Sequence, residues 1–206
     1  MEEKKKSTKQ DILEAAEAEF LEKGYNGTTT AGIAARAKVT HAMLHYYFQT
    51  KENLFEMFVK EKSSLIKQAI FPGDSLNPDL SLEETVRFIA EHHLAFIMEH
   101  PELVKFMLKE MIFDEARRQA FYDIVLNDKK VAELSGIIGS IAARDGYGKD
   151  FDMRSMMLDI ALYNIATFIS VIVRKDLHLD REESMDVMME RRKEECVELI
   201  MRRFRK

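Results

Sequence analysis

The amino-acid sequence predicts an all-α protein of about nine helices, and three observations favour that class. Only three prolines and eight glycines interrupt the 206 residues, so regular structure has few breaks. Apolar residues recur at helical spacing along most of the chain, with charged residues between them. Alternating runs of β-branched and polar residues, which would predict strands, are rare. Because 46% of the residues are hydrophobic, the chain can bury a sizeable core.

Four helices are predicted before the first strong break. The first runs from about Ser7 to Lys23, and Gly24 suits the left-handed residue that often ends a helix. The next three apolar segments each follow a threonine whose hydroxyl can cap a helix; these threonines are Thr28 or Thr29, then Thr40, then Thr50. The break itself lies at residues 72–78, where Pro-Gly and Asn-Pro pairs favour turns.

Five more helices are predicted after this break. Ser81 and Glu84 have the spacing of a capping box, which begins the fifth helix. Pro101 suits the first position of the sixth. The remaining apolar segments predict helices over residues 115–143, 151–175 and 180–203. The layout predicts two domains, a small one over residues 1–51 and a larger helical one over residues 52–206. The first helix of the larger domain, over residues 52–70, connects the two.

Composition and motifs exclude several classes of function. A single cysteine, Cys196, rules out an intramolecular disulfide and fits a reducing cytoplasm. The N-terminal residues do not resemble a signal peptide. The apolar run over residues 160–173 is too short to span a bilayer, so we expect a buried helix and no membrane partner. We find no nucleophile elbow, P-loop, dinucleotide fingerprint or zinc-protease motif. We therefore expect neither an enzyme nor a cofactor.

Three histidines lie close together in the sequence, at His92, His93 and His100. His93 and His100 are two helical turns apart, about 10 Å, which is too far to share one ion directly. No cysteine or further histidine lies close to these three residues in the sequence to complete such a site. We therefore expect no metal site there or elsewhere in the chain.

The segment from Lys23 to Lys51 contains four basic residues and no Asp or Glu, although the net charge of the whole chain is -5. A surface that binds a polyanion must be free of carboxylates, because these would repel phosphates. The segment also reads as a short helix, a tight turn and a second short helix. This pattern is typical of a helix-turn-helix, whose second helix enters the major groove of DNA.

The position of each side chain on these helices predicts its role. Leu44 and Phe48 should pack inward, whereas small and polar residues should face the groove. Hydroxyls at the start of the second helix can hold a phosphate together with backbone amides. The predicted DNA contacts are Thr29, Thr30, Thr40, His41, Ala42, Met43, His45, Tyr47 and Lys51.

Residues 9–58 resemble the DNA-binding domain of the TetR family. The resemblance rests on Ile12-Leu13-Glu14-Ala15-Ala16, Phe20, Glu22-Lys23-Gly24-Tyr25, Thr28-Thr29, Ile33-Ala34, Ala37, Val39-Thr40, Leu44, Tyr46-Tyr47-Phe48 and Lys51-Glu52-Asn53-Leu54-Phe55. Over residues 59–206 only the helical layout matches. The resemblance implies a homodimeric repressor that is released from DNA by a ligand. By matching position it implies phosphate contacts from Thr30, Tyr47 and Lys51, and base contacts from His41, Ala42 and His45.

The sequence departs from the family pattern at three places. Lys38 stands where the turn usually has glycine, which predicts a non-glycine residue at positive φ at a cost of roughly 1 kcal/mol. Ala42 replaces a glycine often seen in the recognition helix. Ala31 and Gly32 occupy positions of the second helix that often carry a basic base-reading residue and an acidic capping residue. Recognition should therefore depend mainly on the third helix.

The larger domain is expected to dimerise and to bind an effector. The last two helices each carry a wide apolar face, which predicts a four-helix interface between two copies. The residues predicted at this interface are Met185, Met188, Met189, Arg192, Cys196 and Leu199. A cavity that binds a largely apolar small molecule is predicted to be lined by His92, Phe96, Met107, Met111, Phe121, Asn164 and Phe168. Two alternatives remain open. In the first, the larger domain, or body, binds a protein partner and no small molecule. In the second, the protein binds DNA of any sequence, as nucleoid proteins do, and has no effector.

Overall fold

The computed structural model describes residues 7–70, 76–115, 117–119, 129–147, 151–178 and 183–204. Within these ranges the secondary structure is helical, and no strand occurs among them. The all-α prediction is confirmed. The described helices are α1 (Thr8–Gly27), α2 (Thr30–Arg36), α3 (His41–Phe48), α4 (Lys51–Ile70), α5 (Leu82–Glu99), α6 (Pro101–Phe113), α7 (Lys129–Arg144), α8 (Met153–Asp176) and α9 (Met185–Phe204).

Most predicted helix starts are confirmed, and one is corrected. The hydroxyls of Ser7, Thr29, Thr40 and Ser81 cap α1, α2, α3 and α5, and Ser81 forms the full capping box. Thr28 does not cap α2. Its buried hydroxyl instead donates to the carbonyl oxygens of Glu19 and Gly24, at 2.9 and 2.8 Å. Because helix ends leave carbonyls without partners, Thr28 closes the end of α1 instead of opening α2.

The predicted seventh helix agrees with α7 at its end, since α7 finishes at Arg144. Part of its predicted first half lies outside the described residues. Helix α6 ends just before Asp114. The carboxylate of Asp114 accepts the backbone N–H of Arg117 at 3.0 Å. An aspartate in this position ends one helix and caps the next turn.

The chain forms two compact units. The first comprises residues 1–65 and 101–125, and the second comprises residues 66–100 and 126–206. This division differs from the predicted boundary at residue 51, because α6 belongs to the same unit as the helix-turn-helix. Phe106 on α6 packs against Phe58 on α4, with ring centroids 5.2 Å apart. Aromatic packing at this distance stabilises a core beyond the area it buries.

In the first unit, α1 packs against α2 and α6, and α2 packs against α3. Phe20 lies at the centre and is fully buried. Its ring contacts Phe55 and Phe58 at centroid distances of 5.1 and 5.6 Å. Leu44 and Phe48 are buried, as predicted for the inner face of α3. This core fixes the orientation of the short helices α2 and α3, which are too short to be stable alone.

In the second unit, α5 is the central helix and packs against α7, α8 and α9. Its buried face includes Leu82, Val86, Ile89, Leu94 and Ile97. A buried polar contact crosses to α8, where the side-chain amide of Asn164 donates to the carbonyl oxygen of Ala90 at 2.9 Å. A buried amide needs a hydrogen-bond partner, and this carbonyl supplies one.

Candidate nucleic-acid interface

The start of α2 presents two threonine hydroxyls with different contacts. The hydroxyl of Thr29 accepts the backbone N–H of Gly32 at 3.0 Å, which caps the helix. The hydroxyl of Thr30 lies 2.9 Å from Nε2 of His41, the first residue of α3. This contact joins the two helices of the helix-turn-helix through their exposed side chains.

The turn between α2 and α3 contains the predicted non-glycine residue at positive φ. Lys38 has φ 57°, and the neighbouring Val39 donates its N–H to Ala34 at 3.0 Å. The side chain of Lys38 is exposed. The strained backbone therefore holds a cation at the turn, at a cost of roughly 1 kcal/mol compared with glycine.

The outer face of α3 is exposed at every predicted contact position. His41, Ala42, Met43, His45 and Tyr47 are all exposed there. Sequence reasoning missed one member of this face, Tyr46, whose side chain is 82% exposed. Tyr46 follows the buried Leu44 by two residues, a rotation of about 200° on a helix. The helical angle alone could therefore have placed it on the outer face.

The two histidines of α3 contact each other and are oriented by separate partners. Their ring centroids lie 4.4 Å apart in an edge-to-face arrangement. Nδ1 of His45 lies 2.7 Å from the carbonyl oxygen of Gln49. A carbonyl only accepts hydrogen bonds, so Nδ1 carries the hydrogen, and Nε2 of the neutral ring is an acceptor. His45 can therefore accept a hydrogen bond from a base edge.

Lys51 does not lie where the sequence pattern predicts. Its ammonium is half-buried and donates to the carbonyl oxygens of Tyr25 and Thr28, at 3.0 and 2.9 Å. It also lies 4.1 Å from the centre of the Tyr25 ring. The physical reason for this correction is the group of unpaired carbonyls after α1, which the ammonium satisfies. In this conformation Lys51 stabilises the α1–α2 connection.

The lack of acids in the Lys23–Lys51 segment does not leave all its cations available. Glu19 on α1 is buried and accepts from Lys23 Nζ at 2.6 Å and from Arg36 Nε at 2.8 Å. Arg36 also pairs with Glu22. Hydrogen bonding from Lys23 lowers the pKa of Glu19, although desolvation opposes the shift. Sequence reasoning missed this arrangement because Glu19 lies on α1, outside the acid-free segment Lys23–Lys51.

A cluster of polar and aromatic side chains joins the end of α1 to α4 and α6. We define the Tyr25 cluster as Tyr25, Lys51, Glu52, Glu110 and Arg117. The backbone N–H of Tyr25 donates to Glu110 Oε1 at 3.0 Å, and the guanidinium of Arg117 lies 4.1 Å from the centre of the Tyr25 ring. Burial, and hydrogen bonding to Glu52, raise the pKa of the Tyr25 phenol to about 12. The cluster positions the helix-turn-helix relative to α6.

The predicted effector residues divide between the two units. Met107 is half-buried in the first unit, while Phe121 and the side chain of Met111 lie outside the described residues. In the second unit Asn164 and Phe168 are buried, Phe96 is half-buried, and His92 is exposed. Because His92 is exposed on the outer side of α5, the conformation described does not place it in an enclosed cavity.

Two surface grooves among the described residues are not lined by the predicted effector residues. The first is an open groove of about 1030 Å³ between α1 and the turn that contains Lys38. Its lining includes Asp11, Glu14 and Arg36, a polar surface that does not suit an apolar ligand. The second, of about 370 Å³, lies between α8 and α9 and is lined partly by Leu162 and Leu199.

Asn164 meets a second polar group inside the second unit. Its amide nitrogen lies 3.2 Å from Nδ1 of His93, a buried residue on α5. Burial lowers the pKa of His93 to about 4, with a further contribution from the charge of His92. The His93 ring is therefore neutral at pH 7, and its Nδ1 accepts a hydrogen from the amide.

The structure corrects part of the predicted dimer surface. Met188 and Cys196 are buried inside the protomer, so they are not available for contact with a second copy. Their helix, α9, packs against α5 and α8. Met185, Met189 and Arg192 are half-buried, and Leu199 is 54% exposed. The wide apolar face that the sequence predicts on α8 includes four exposed side chains, Leu158, Leu162, Ile169 and Val173.

Helix α8 extends beyond both ends of the apolar run over residues 160–173. It has 24 residues and includes an 18-residue window of mean hydropathy 1.9, so by length and composition it could cross a membrane. Its buried side carries the polar residues Asn164 and Thr167 and packs against α5 and α9. These contacts are typical of a core helix whose opposite face is exposed and apolar.

The sequence matches a model of the DNA-binding domain of the bacterial regulatory proteins of the tetR family over residues 12–57. The HTH-type transcriptional repressor NicS of Pseudomonas putida is 27% identical over 157 residues, 75% of this chain and 72% of NicS. The probable HTH-type transcriptional regulator YttP of Bacillus subtilis is 28% identical over 131 residues. That alignment spans 63% of this chain and 63% of YttP, less than two thirds of the relative's length.

Solved structures show the same fold along nearly the whole chain. A TetR-family regulator from Shewanella sp. PV-4 superposes with a TM-score of 0.66 at 19% identity, covering 95% of this chain and 96% of that one. The regulator FadR from Bacillus subtilis, crystallised with stearoyl-CoA, gives a TM-score of 0.63 at 17% identity, with 92% and 96% covered. Together with the matched helix-turn-helix, these similarities support a transcriptional regulator of the tetR family, and the solved structures show that the chain has the fold of such regulators.

Proposed function

We propose that the protein is a cytoplasmic repressor that binds a palindromic DNA operator as a homodimer and is released by a small, largely apolar effector. The observation that supports this most strongly is the outer face of α3, where the predicted contact residues are all exposed. An α-helix with such a face fits the major groove, where base edges carry a readable pattern of donors and acceptors.

In this proposal the contacts divide into those that position the protein and those that read sequence. Thr29, Thr30 and Tyr47 contact phosphates, which contribute affinity without sequence information. His41, Ala42 and His45 lie against base edges, together with Thr40 and Met43 at the start of α3. The exposed cation of Lys38 adds a phosphate contact at the turn. Lys51 acts differently, by holding the backbone that presents these groups.

The effect of His41→Ala tests this division. We expect a loss of about 1–3 kcal/mol at one base pair of the operator, with other positions unaffected, because a base contact discriminates only at its own site. The measurement is fluorescence anisotropy on a series of operator variants selected from random duplex. Thr30→Val provides the comparison, because Thr30 is assigned to a phosphate and its loss should weaken binding to all duplexes equally.

Two outcomes would count against the proposal. A His41→Ala loss that is equal for all duplexes would make His41 a phosphate contact and not a reading residue. Equal affinity of the parent protein for a palindrome and for random duplex would support the nucleoid-type alternative.

The effector is proposed to bind near Asn164 and Phe168. Asn164 and Phe168 are both buried on α8, and sites for small molecules combine an apolar lining with a few polar groups. FadR, which shares the fold, was crystallised with stearoyl-CoA, so long acyl chains and their thioesters are the first compounds to test. A ligand that binds the folded protein raises its melting temperature by mass action. A library without any such shift would favour the alternative in which the body binds a protein partner.

A further inference from the structure

The exposed face of α3 carries two imidazoles in an arrangement that DNA binding does not require. His41 and His45 are four residues apart and so lie one helical turn apart on the same face. Their ring centroids are separated by 4.4 Å, and both side chains are exposed. This is the spacing with which two histidines on one helix bind a single zinc ion in metalloproteases.

The hydrogen bond made by His45 adds an independent observation. Histidines that bind metals usually donate their other ring N–H to a carbonyl or carboxylate, which fixes the tautomer and the ring orientation. Nδ1 of His45 has this partner in the carbonyl oxygen of Gln49, at 2.7 Å. The lone pair of Nε2 is therefore the one left for a ligand.

The surroundings of His41 place an oxygen atom beside the second imidazole. The hydroxyl of Thr30 lies 2.9 Å from Nε2 of His41. A metal ion at this nitrogen would take the place of that hydrogen bond, with the hydroxyl nearby as a partner for a bound water.

We propose that His41 and His45 chelate one divalent transition-metal ion, such as Zn²⁺, Ni²⁺ or Cu²⁺, on the outer face of α3. The Lys23–Lys51 segment lacks carboxylates, and the N-terminal end of a helix disfavours cations. Binding therefore depends on the imidazole nitrogens and not on charge. Zn²⁺, Ni²⁺ and Cu²⁺ accept such ligands, whereas Mg²⁺ and Ca²⁺ require oxygen ligands.

The ion has a consequence for DNA binding that rests on the proposed function. A metal at these two nitrogens occupies the lone pairs that would otherwise accept hydrogen bonds from base edges. Water molecules bound to the metal would also occupy the space between α3 and the base edges of the major groove. Occupancy of the site should therefore weaken operator binding.

The site is tested first without DNA, by calorimetric titration of the full-length, tag-free protein with ZnCl₂. We expect one ion per protomer, and at least tenfold weaker binding in both His41→Ala and His45→Ala. His92→Ala is the matched control, because His92 is also an exposed helical histidine but has phenylalanine four residues on. It should bind zinc as the parent does, and MgCl₂ should give no binding. Unchanged zinc affinity in both α3 variants would overturn the site.

A second measurement tests the effect on DNA, by fluorescence anisotropy with and without ZnCl₂. Zinc should weaken the binding of the parent protein at least tenfold, EDTA should restore it, and His45→Ala should not respond. If zinc binds to α3 but leaves the DNA affinity of the parent unchanged, the inferred competition is wrong. Failure of the zinc-free parent to bind any duplex would instead contradict the proposed function, and the titration without DNA would be unaffected.

Discussion

At the residue scale, the four cations of the acid-free segment have different partners. Lys23 and Arg36 pair with the buried carboxylate of Glu19. Lys51 binds two backbone carbonyls. Lys38 is exposed at the turn and has no ion-pair partner within the described part of the chain. The charge that phosphates encounter is therefore smaller than the sequence alone indicates, and Lys38 contributes most to it.

This difference predicts opposite results for two lysine variants. Lys38→Ala should reduce the slope of log Kd against log salt by about one counterion per protomer, because each phosphate contact releases condensed cations. Lys51→Met should leave this slope unchanged and instead lower the free energy of unfolding by about 1–2 kcal/mol, since two carbonyls lose their partner. Anisotropy at several salt concentrations and urea unfolding measure the two effects. A smaller salt slope for Lys51→Met would restore Lys51 as a phosphate contact.

Buried His93 predicts a dependence of stability on pH. Its pKa is about 4 in the folded protein, below the ordinary value of 6.5. The unfolded chain therefore binds a proton between these values that the folded protein does not. Stability is at its full value above pH 6.5 and falls as the pH is lowered toward 4, by up to about 3 kcal/mol from this residue.

The measurement for His93 is urea unfolding at several pH values between about 4 and 7. His93→Gln provides the comparison, because it keeps a polar partner for Asn164 but does not titrate. The parent should lose more stability than the variant over this range. Parallel pH profiles would contradict the assignment.

At the element scale, the end of α1 depends on a backbone conformation that suits glycine. Gly24 has φ 72°, and a Cβ atom there would lie 2.8 Å from Oε1 of Glu110 on α6. The same carboxylate accepts the backbone N–H of Tyr25. The α1 end therefore has no room for a side chain, because the Tyr25 cluster occupies that space.

Gly24→Ala should lower the free energy of unfolding by about 1–3 kcal/mol, through backbone strain and displacement of Glu110. Gly139→Ala is the matched control, since Gly139 lies within α7 and a Cβ atom added there would meet no described neighbour within 4 Å. That variant should be neutral or more stable by up to about 1 kcal/mol, because alanine favours helix. Urea unfolding measures both. Equal effects of the two substitutions would show that neither the conformation nor the contact with Glu110 matters.

At the scale of the whole molecule, the exposed apolar stripe of α8 supports dimerisation. Leu158, Leu162, Ile169 and Val173 follow helical spacing and are each at least 44% exposed. The nearby groove between α8 and α9 adds Leu199. A contiguous apolar face of this kind typically contacts another protein surface, and a two-fold axis would place two such faces together.

Leu162→Glu should convert the proposed dimer to a monomer, because the glutamates of two copies would be desolvated near each other. Light scattering on the eluted protein measures the mass. Met57→Glu is the control, since Met57 is an exposed apolar residue of α4 in the first unit. A Leu162→Glu protein that remains fully dimeric would place the interface elsewhere. Operator affinity should fall with the loss of the dimer, since a single helix-turn-helix contacts only half of a palindrome.

The sequence by itself determined the fold class, most helix caps and the outer face of α3, because these depend on residues close together in the chain. Ser7, Thr29, Thr40 and Ser81 cap their own helices. The positive φ of Lys38 was expected from the resemblance, because the family usually has glycine at this position of the turn. The recognised motif of the DNA-binding domain is likewise local.

Only the tertiary structure decided which charged and apolar groups remain available for partners. Glu19 pairs with the exposed Arg36 across 17 residues, and Glu110 accepts the backbone N–H of Tyr25 across 85. Met188 and Cys196 proved to face the core, while Leu162 faces outward. Helical periodicity shows that a helix has an apolar side, but a helix with two apolar sides, such as α8, can bury either of them. Which side is buried depends on packing against helices distant in sequence, and the pattern along one helix does not contain that information.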